Sequence, residues 1–325
     1  MNYRILNTIG EKYTASAREI LSSLGRTDFL VLKQSQLIEI IKDYDIIVVG
    51  LGLNIDREVI DRGEKLKIIA TATTGLDHID VEYAENKGVK ILSLRGETEF
   101  LNTITGTAEL AFGLLINLWR HIISAAGSVK NYEWDREKFR GHNLCGNTLG
   151  IVGLGRLGRW MARYGQAFGM NVIVFDPYAD EEIFKDLVCE KVDFDTLLDR
   201  SDAISIHVHL NQETESMFNV EVLSKMKNSA ILINTSRGKI VKEDDLLAAL
   251  EDKIIAGYAT DVLADELEFD KSFSDHPLVE YAKSHNNLII VPHIGGMTFE
   301  SREATDIFIA EKIKKYISSE NNGKN

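Results

Sequence analysis

Cysteine is scarce in this chain. Its 325 residues include two, Cys145 and Cys189, far apart and outside any metal-ligand spacing. That suits a reducing compartment and argues against a zinc site, so no metal is expected. Basic charge is also short. With 37 Lys and Arg against 50 Asp and Glu, the net charge is -13. Nucleic acid is therefore not an expected partner, because phosphate binding needs a net basic face. No apolar run reaches the roughly 18 residues of a membrane span. The first residues, MNYRILNTIGEKY, lack a charged segment followed by an apolar core, so no signal peptide is read there. Cytoplasm is the expected location, with no membrane partner. Low-complexity stretches and short repeats are missing too.

What remains is an ordinary globular composition, 44% apolar and 27% charged. The length favours two domains. Short apolar runs at Ile46–Val49, Ile68–Ala70 and Val89–Leu92 alternate with helix-like stretches such as Ser35–Lys42 and Glu58–Gly63. Such alternation predicts a parallel sheet wrapped by helices. The segment Thr107–Ile123 reads as a helix apolar on nearly every side, hence buried in a core or a subunit interface. Trp119 and Trp134 are expected to pack rather than bind. A second series of strands follows at Thr148–Val152, Asn171–Phe175, Ala203–His207, Ala230–Ile233, Ile254–Ala259 and Leu288–Val291. Thr298–Ile317 reads as a last helix, with Ile309, Ile313, Tyr316 and Ile317 on one stripe, and the tail SSENNGKN as frayed. The expected fold is α/β with two doubly wound parallel-sheet domains. One comprises residues 1–101 plus 296–325, the other residues 102–295.

The stretch LGIVGLGRLGRWMARYGQAFGMNVIVFDPY contains Gly153-x-Gly155-x-x-Gly158. It follows a strand, opens a helix and leads to a second strand ending in Asp176. In that context each residue has a task. Gly153 permits the tight turn. Gly155 lets a pyrophosphate reach the free N–H groups of the helix end. Gly158 lets helix and strand pack closely. Asp176 would accept hydrogen bonds from the adenosine ribose and repel a 2′-phosphate. No arginine adjoins Asp176 in sequence, so NAD is favoured over NADP.

The stretch ILINTSRGKI raises a different question: an arginine, Arg237, stands just past an apolar strand. Near a core, its fixed charge calls for an anion. The chain resembles the D-isomer-specific 2-hydroxyacid dehydrogenases over nearly its whole length. The motifs that carry the resemblance are TTGLDHIDVEYAENKGVKIL, GNTLGIVGLGRLGR, LINTSRGKIVKEDDLLAAL, IAGYATDVLADE and VPHIGGMT. The resemblance implies a flavodoxin-like substrate domain, a Rossmann NAD-binding domain and a 2-keto or 2-hydroxy acid in a cleft between them. It puts the catalytic arginine, glutamate and histidine on Arg237, Glu266 and His293. It puts coenzyme contacts on Thr74, Arg156, Leu157, Asp176, Val208, Thr235, Asp261 and the stretch His293–Gly296, which includes Gly295 and Gly296. Backbone around Gly75 and Leu76 would help hold the substrate carboxylate, beside Arg237 and His293. Arg237 would bind the carboxylate and polarise the carbonyl, His293 would move the proton, and Glu266 would hold the imidazole and favour its charged form. The family also implies a homodimer, here through the 102–145 region.

Several positions depart from the family pattern. Leu267 follows Glu266 where proline is usual, and the segment from Leu267 to Asn287 is longer than common. His209 replaces a frequent proline. His207-x-His209 reads as two histidines on one strand face, without a third metal ligand. The connection LRGETEFLNTITGTAEL is also long, and its Arg95 is expected to shape substrate preference. Gly50 stands where phosphoglycerate dehydrogenases commonly carry an arginine, which lowers that alternative. Formate dehydrogenases have glutamine where Glu266 stands. An NAD(H)-sensing binding protein on the same fold is the other alternative.

Overall fold

The computed structural model describes residues 3–266 and 273–322. The chain forms two compact units, Met1–Thr103 with Met297–Asn325, and Ile104–Gly296.

The first unit holds a five-stranded sheet of β1 (Tyr3–Asn7), β2 (Gly25–Phe29), β3 (Ile46–Val49), β4 (Ile68–Thr71) and β5 (Lys90–Leu92). The strand order is β2-β1-β3-β4-β5, and every pairing is parallel. That is the doubly wound order of flavodoxin-like sheets. The runs IIVV and IIAT are buried along their whole length, as strands covered on both faces must be. One face packs under the terminal helix Phe299–Asn322, through Ile309, Ala310, Ile313 and Ile317. The helix continues past the predicted stripe, so Ser318 to Asn322 are helical rather than frayed.

Inside this helix Asp306 is fully buried. Burial pushes its carboxyl up to about 6, against the opposing charge of Arg302. An unfolded aspartate titrates near 3.9. The folded state thus holds the proton more tightly, and stability falls as pH rises from about 4 through about 6. Asp306→Asn cannot ionise, so it should lose this slope. At pH 7 the variant should be more stable by about 3 kcal/mol, and near pH 4 close to wild type. Thermal melts at the two pH values check this; parallel pH dependence in both proteins would refute it.

The second unit holds seven strands: β6 (Thr148–Val152), β7 (Asn171–Phe175), β8 (Glu190–Lys191), β9 (Ala203–Ile206), β10 (Ile231–Asn234), β11 (Gly257–Thr260) and β12 (Leu288–Ile290). Their order is β12-β11-β10-β9-β6-β7-β8, again all parallel. This is the Rossmann order with one extra edge strand. The winding reverses between β6 and β9, and ligands bind at the strand carboxyl ends beside such a reversal.

The apolar segment expected as one helix over Thr107–Ile123 is two. Gly106–Arg120 buries Ala108, Ala111, Phe112, Leu115 and Leu118. His121 then takes a left-handed φ of 52°, and Ile122–Lys130 starts in a new direction with no buried residue. Trp119 packs in the core as expected, but Trp134 is 88% exposed. Strand β9 stops at Ile206, so His207 and His209 lie beyond it and do not share a strand face. The extra length expected from Leu267 to Asn287 includes residues 267–272, which lie outside the described residues.

Candidate active site

Three neighbouring parallel strands, β10, β11 and β12, end side by side. Arg237 follows β10, Glu266 follows β11 and His293 follows β12, so sheet geometry alone gathers their loops on one edge of the second unit.

Glu266 and His293 meet. Nδ1 of His293 lies 2.5 Å from Oε1 of Glu266. The other carboxylate oxygen accepts the Leu263 N–H at 3.4 Å. Nδ1 faces the carboxylate, which leaves Nε2 on the far side of the ring. Both side chains keep partial access to solvent, 29% for the histidine and 22% for the glutamate. The histidine backbone is unusual, with a φ of 51°. Non-glycine residues rarely take that conformation, and something must enforce it. Here Asp261 does. Its carbonyl accepts the His293 N–H at 2.9 Å. Its carboxylate accepts the N–H groups of Ile294 at 2.6 Å and Gly295 at 2.8 Å. Burial pushes the Asp261 carboxyl up, and those two N–H groups oppose the shift. Gly295 must be small, because a Cβ there would lie 2.9 Å from Asp261 Oδ2. Gly296 is open on that side.

Arg237 is tied to the same assembly through its neighbour. A Cβ on Gly238 would lie 2.1 Å from the Leu263 carbonyl carbon and 2.2 Å from the Ala264 nitrogen. Only glycine lets the Arg237 loop pack against the loop that carries Glu266. One guanidinium nitrogen, Nη1, donates to the Ser236 carbonyl at 2.7 Å.

The glycine-rich loop fits a dinucleotide. Gly153 has a φ of +94°, and a Cβ there would lie 2.8 Å from the His207 carbonyl oxygen. A Cβ on Gly158 would lie 2.0 Å from the Gly153 carbonyl oxygen. Gly155, by contrast, has no atom within 4 Å on its Cβ side, so a phosphate can approach. The helix Arg156–Ala167 begins there without a side-chain cap, its first N–H groups available to an anion. Arg156 donates to the Ile104 carbonyl, and burial lowers its pKa. Leu157 sits half-buried in the first helical turn. Asp176 accepts three backbone N–H groups, from Leu154 at 2.7 Å, Tyr178 at 2.8 Å and Ala179 at 3.0 Å. A carboxylate offers about four acceptor sites, so it can still take a ribose hydroxyl. Thr235 is buried and its hydroxyl has no protein partner, as a ligand contact would require. Val208 borders the turn, with Cγ1 2.9 Å from where a Gly153 Cβ would stand.

A groove of about 530 Å³ beside Asp176 brings in Arg200, which the sequence order hid. Both terminal nitrogens of Arg200 bind Glu190 at 2.7 Å, so its charge is already matched. His207 is another unexpected feature. Its Nε2 lies 2.8 Å from Ser205 Oγ, and burial pulls its pKa down to about 4. With that shift the ring is neutral at pH 7, and it sits next to the Gly153 turn. Among the described residues, no three His, Cys, Asp or Glu side chains cluster as metal ligands.

Thr74, Gly75 and Leu76 belong to the first unit. The Leu76 side chain is buried in that unit's core, so its backbone is what it can offer a ligand. Thr73 shapes the loop by donating to the Gly75 carbonyl at 2.7 Å. Arg95 Nε reaches the Thr74 carbonyl at 3.4 Å.

Comparison with known proteins identifies the family. Residues 112–295 match the D-isomer specific 2-hydroxyacid dehydrogenase, NAD binding domain. The chain is 37% identical over 306 residues to the D-3-phosphoglycerate dehydrogenase of Methanocaldococcus jannaschii, covering 94% of this chain and 56% of that protein. It thus spans little more than half the length of that relative. It is also 37% identical over 286 residues to the hydroxypyruvate reductase of Thermotoga maritima, covering 87% of this chain and 88% of the other. The crystal structure of D-lactate dehydrogenase from Aquifex aeolicus, complexed with NAD and lactic acid, superposes with a TM-score of 0.85 at 28% identity, covering 98% and 96% of the two chains. From the fold, the glycine-rich loop and these matches together, the chain belongs to the D-isomer specific 2-hydroxyacid dehydrogenase family, with NAD as its cofactor.

Proposed function

We propose that the protein interconverts a small D-2-hydroxy acid and its 2-keto acid. The contact that carries this reading is His293 Nδ1 on Glu266 at 2.5 Å, beside the Arg237 loop. Bound NADH supplies the hydride. Arg237 anchors the substrate carboxylate and polarises the carbonyl, as a fixed charge with a planar fork of donors does well. His293, held by Glu266, gives the proton from Nε2 to the developing alkoxide. In the oxidative direction the same nitrogen, neutral, takes it back. Gly75 and Leu76 are proposed as backbone donors to the carboxylate, and Arg95 as a residue that tunes substrate preference.

The test is loss of NADH absorbance with a panel of 2-keto acids, from glyoxylate and pyruvate to branched, sugar-derived and phosphorylated ones. Turnover on one class supports the reading and identifies the substrate class. NADH binding without turnover on any member would instead support a coenzyme sensor. Best turnover on a phosphorylated acid would favour a phosphoglycerate dehydrogenase.

Asp176 is the proposed ribose ligand. Asp176→Ala should narrow the preference for NAD over NADP by roughly 10-fold or more, since a charge-assisted hydrogen bond is worth about 1.5–3 kcal/mol. The ratio of kcat/KM values for the two coenzymes measures it, and an unchanged ratio would exclude the role.

We also propose a homodimer formed through the 102–145 region. Ile122, Ile123, Val129, Tyr132 and Trp134 are exposed there together, and apolar and aromatic groups of this kind form interface cores. Light scattering reads the molar mass; a monomer at micromolar concentration would reject the assignment. The two free thiols fit the cytoplasm, the compartment we propose.

A further inference from the structure

A second carboxylate grips the loop that carries Glu266. Glu243 opens the helix Glu243–Glu251. Its Oε1 accepts the Ala264 N–H at 2.7 Å. Its Oε2 lies 3.3 Å from His276 Nε2. Both side chains are largely buried, at 19% and 12% exposure. The other charged groups around Glu243 are Asp265 and Asp244. Lys239 pairs with Asp265 at 2.7 Å. Burial raises the Glu243 carboxyl above its ordinary range, against the pull of the Ala264 N–H and of His276.

The loop needs holding. Asp265 has a φ of 54°, a left-handed turn that few non-glycine residues take, although aspartate takes it more readily than most. Gly238 presses on the Leu263–Ala264 peptide from one side. Glu243 binds the N–H of that same peptide. Glu266 is two residues further on, and its own second oxygen returns to the Leu263 N–H. A shift of Ala264 therefore moves the carboxylate that holds His293.

We propose that Glu243, backed by His276, is a positioning residue that sets Glu266 against His293 by fixing the Ala264 peptide. This role rests on the reading of His293 and Glu266 as the acid–base pair. A carboxylate suits it because it only accepts, with one oxygen for each partner. A glutamine keeps an acceptor for Ala264, whereas an alanine keeps none. At metal sites, groups one step removed from the ligands typically change affinity or activity about 10–100-fold, and an effect at the low end of that range is expected here.

The experiment measures NADH turnover for wild type, Glu243→Ala, Glu243→Gln and Glu266→Gln, with kcat and KM followed across pH. Glu243→Ala should lower kcat about 10-fold, with KM and NADH affinity changed less than about threefold. Its pH profile should shift in the same direction as that of Glu266→Gln. Glu243→Gln should restore most of kcat. In a Glu266→Gln background, adding Glu243→Ala should cost nothing further, because the two act through one carboxylate. A lowered melting temperature with kcat and pH profile intact would make Glu243 a helix-end acid only, and would overturn the proposal. Equal losses in NADH affinity and kcat, or additive losses in the double variant, would overturn it too. If Glu243→Ala does not fold, His276→Gln serves. It should give a smaller kcat loss with the same direction of pH shift, and an unchanged profile would overturn the role. A wild type without turnover on any keto acid removes the acid–base reading and this role with it. An active wild type with an unaffected Glu243→Ala removes this role alone.

Discussion

His293→Gln should abolish turnover while NADH still binds. Glutamine approximates the reach of the imidazole and can donate to Glu266, but it has no group that gains and loses a proton near neutral pH. Removing a positioned acid–base group typically costs about 10²–10⁴-fold, and among the described residues no second histidine adjoins the Glu266 carboxylate. Coenzyme affinity should persist, because its proposed anchors are the Gly153–Gly158 turn and Asp176, just past the ends of β6 and β7. Glutamine is less at ease than histidine at a φ of 51°, so a small drop in melting temperature is also expected. Steady-state turnover and NADH fluorescence titration check the two halves. Retained turnover would remove His293 from its role.

The second large effect is expected at Gly238. Alanine there would put a Cβ 2.1 Å from the Leu263 carbonyl carbon and 2.4 Å from its oxygen. These are backbone atoms, so no rotamer change can relieve the clash. Either the Arg237 loop or the Glu266 loop must move. Overpacking of this kind costs about 1–3 kcal/mol. Because both loops carry proposed reacting groups, kcat should fall by more than about 10-fold, as sub-ångström positioning is lost. NADH binding should change little. Thermal melts and kinetics measure the two effects, and wild-type behaviour in both would contradict the loop packing described above.

The parts of the fold that were legible had local causes. Gly153, Gly155 and Gly158 each answer to a turn, an approach or a packing need within a few residues, so their spacing reads directly. The strand run IIVV is apolar throughout, and TLGIV is buried from Leu149 on, because both faces are covered. Strand β1, YRILN, and the polar edge strand β2, GRTDF, gave no such run and were not foreseen. Apolar content alone also concealed the break at His121, since hydropathy does not encode φ. Arg237, Glu266 and His293 were nominated through the family resemblance. Their gathering depends on β10, β11 and β12 being neighbours, which is a property of sheet order and not of any one stretch. Glu243 had no signal at all: in the run KEDDL it looks like any solvated acid. Its partners, Ala264 and His276, lie far along the chain.

The first unit closes with the last helix of the chain, which lies some two hundred residues after the sheet it covers. During synthesis, Ile5, Ile46 and Ile68 leave the ribosome long before Ile309, Ile313 and Ile317 can shield them. The second unit is continuous and can settle first. Until that helix is made, the early sheet has only part of this face covered, by Ala17 and Leu21 of the first helix, and chaperones or premature self-association would compete for the rest.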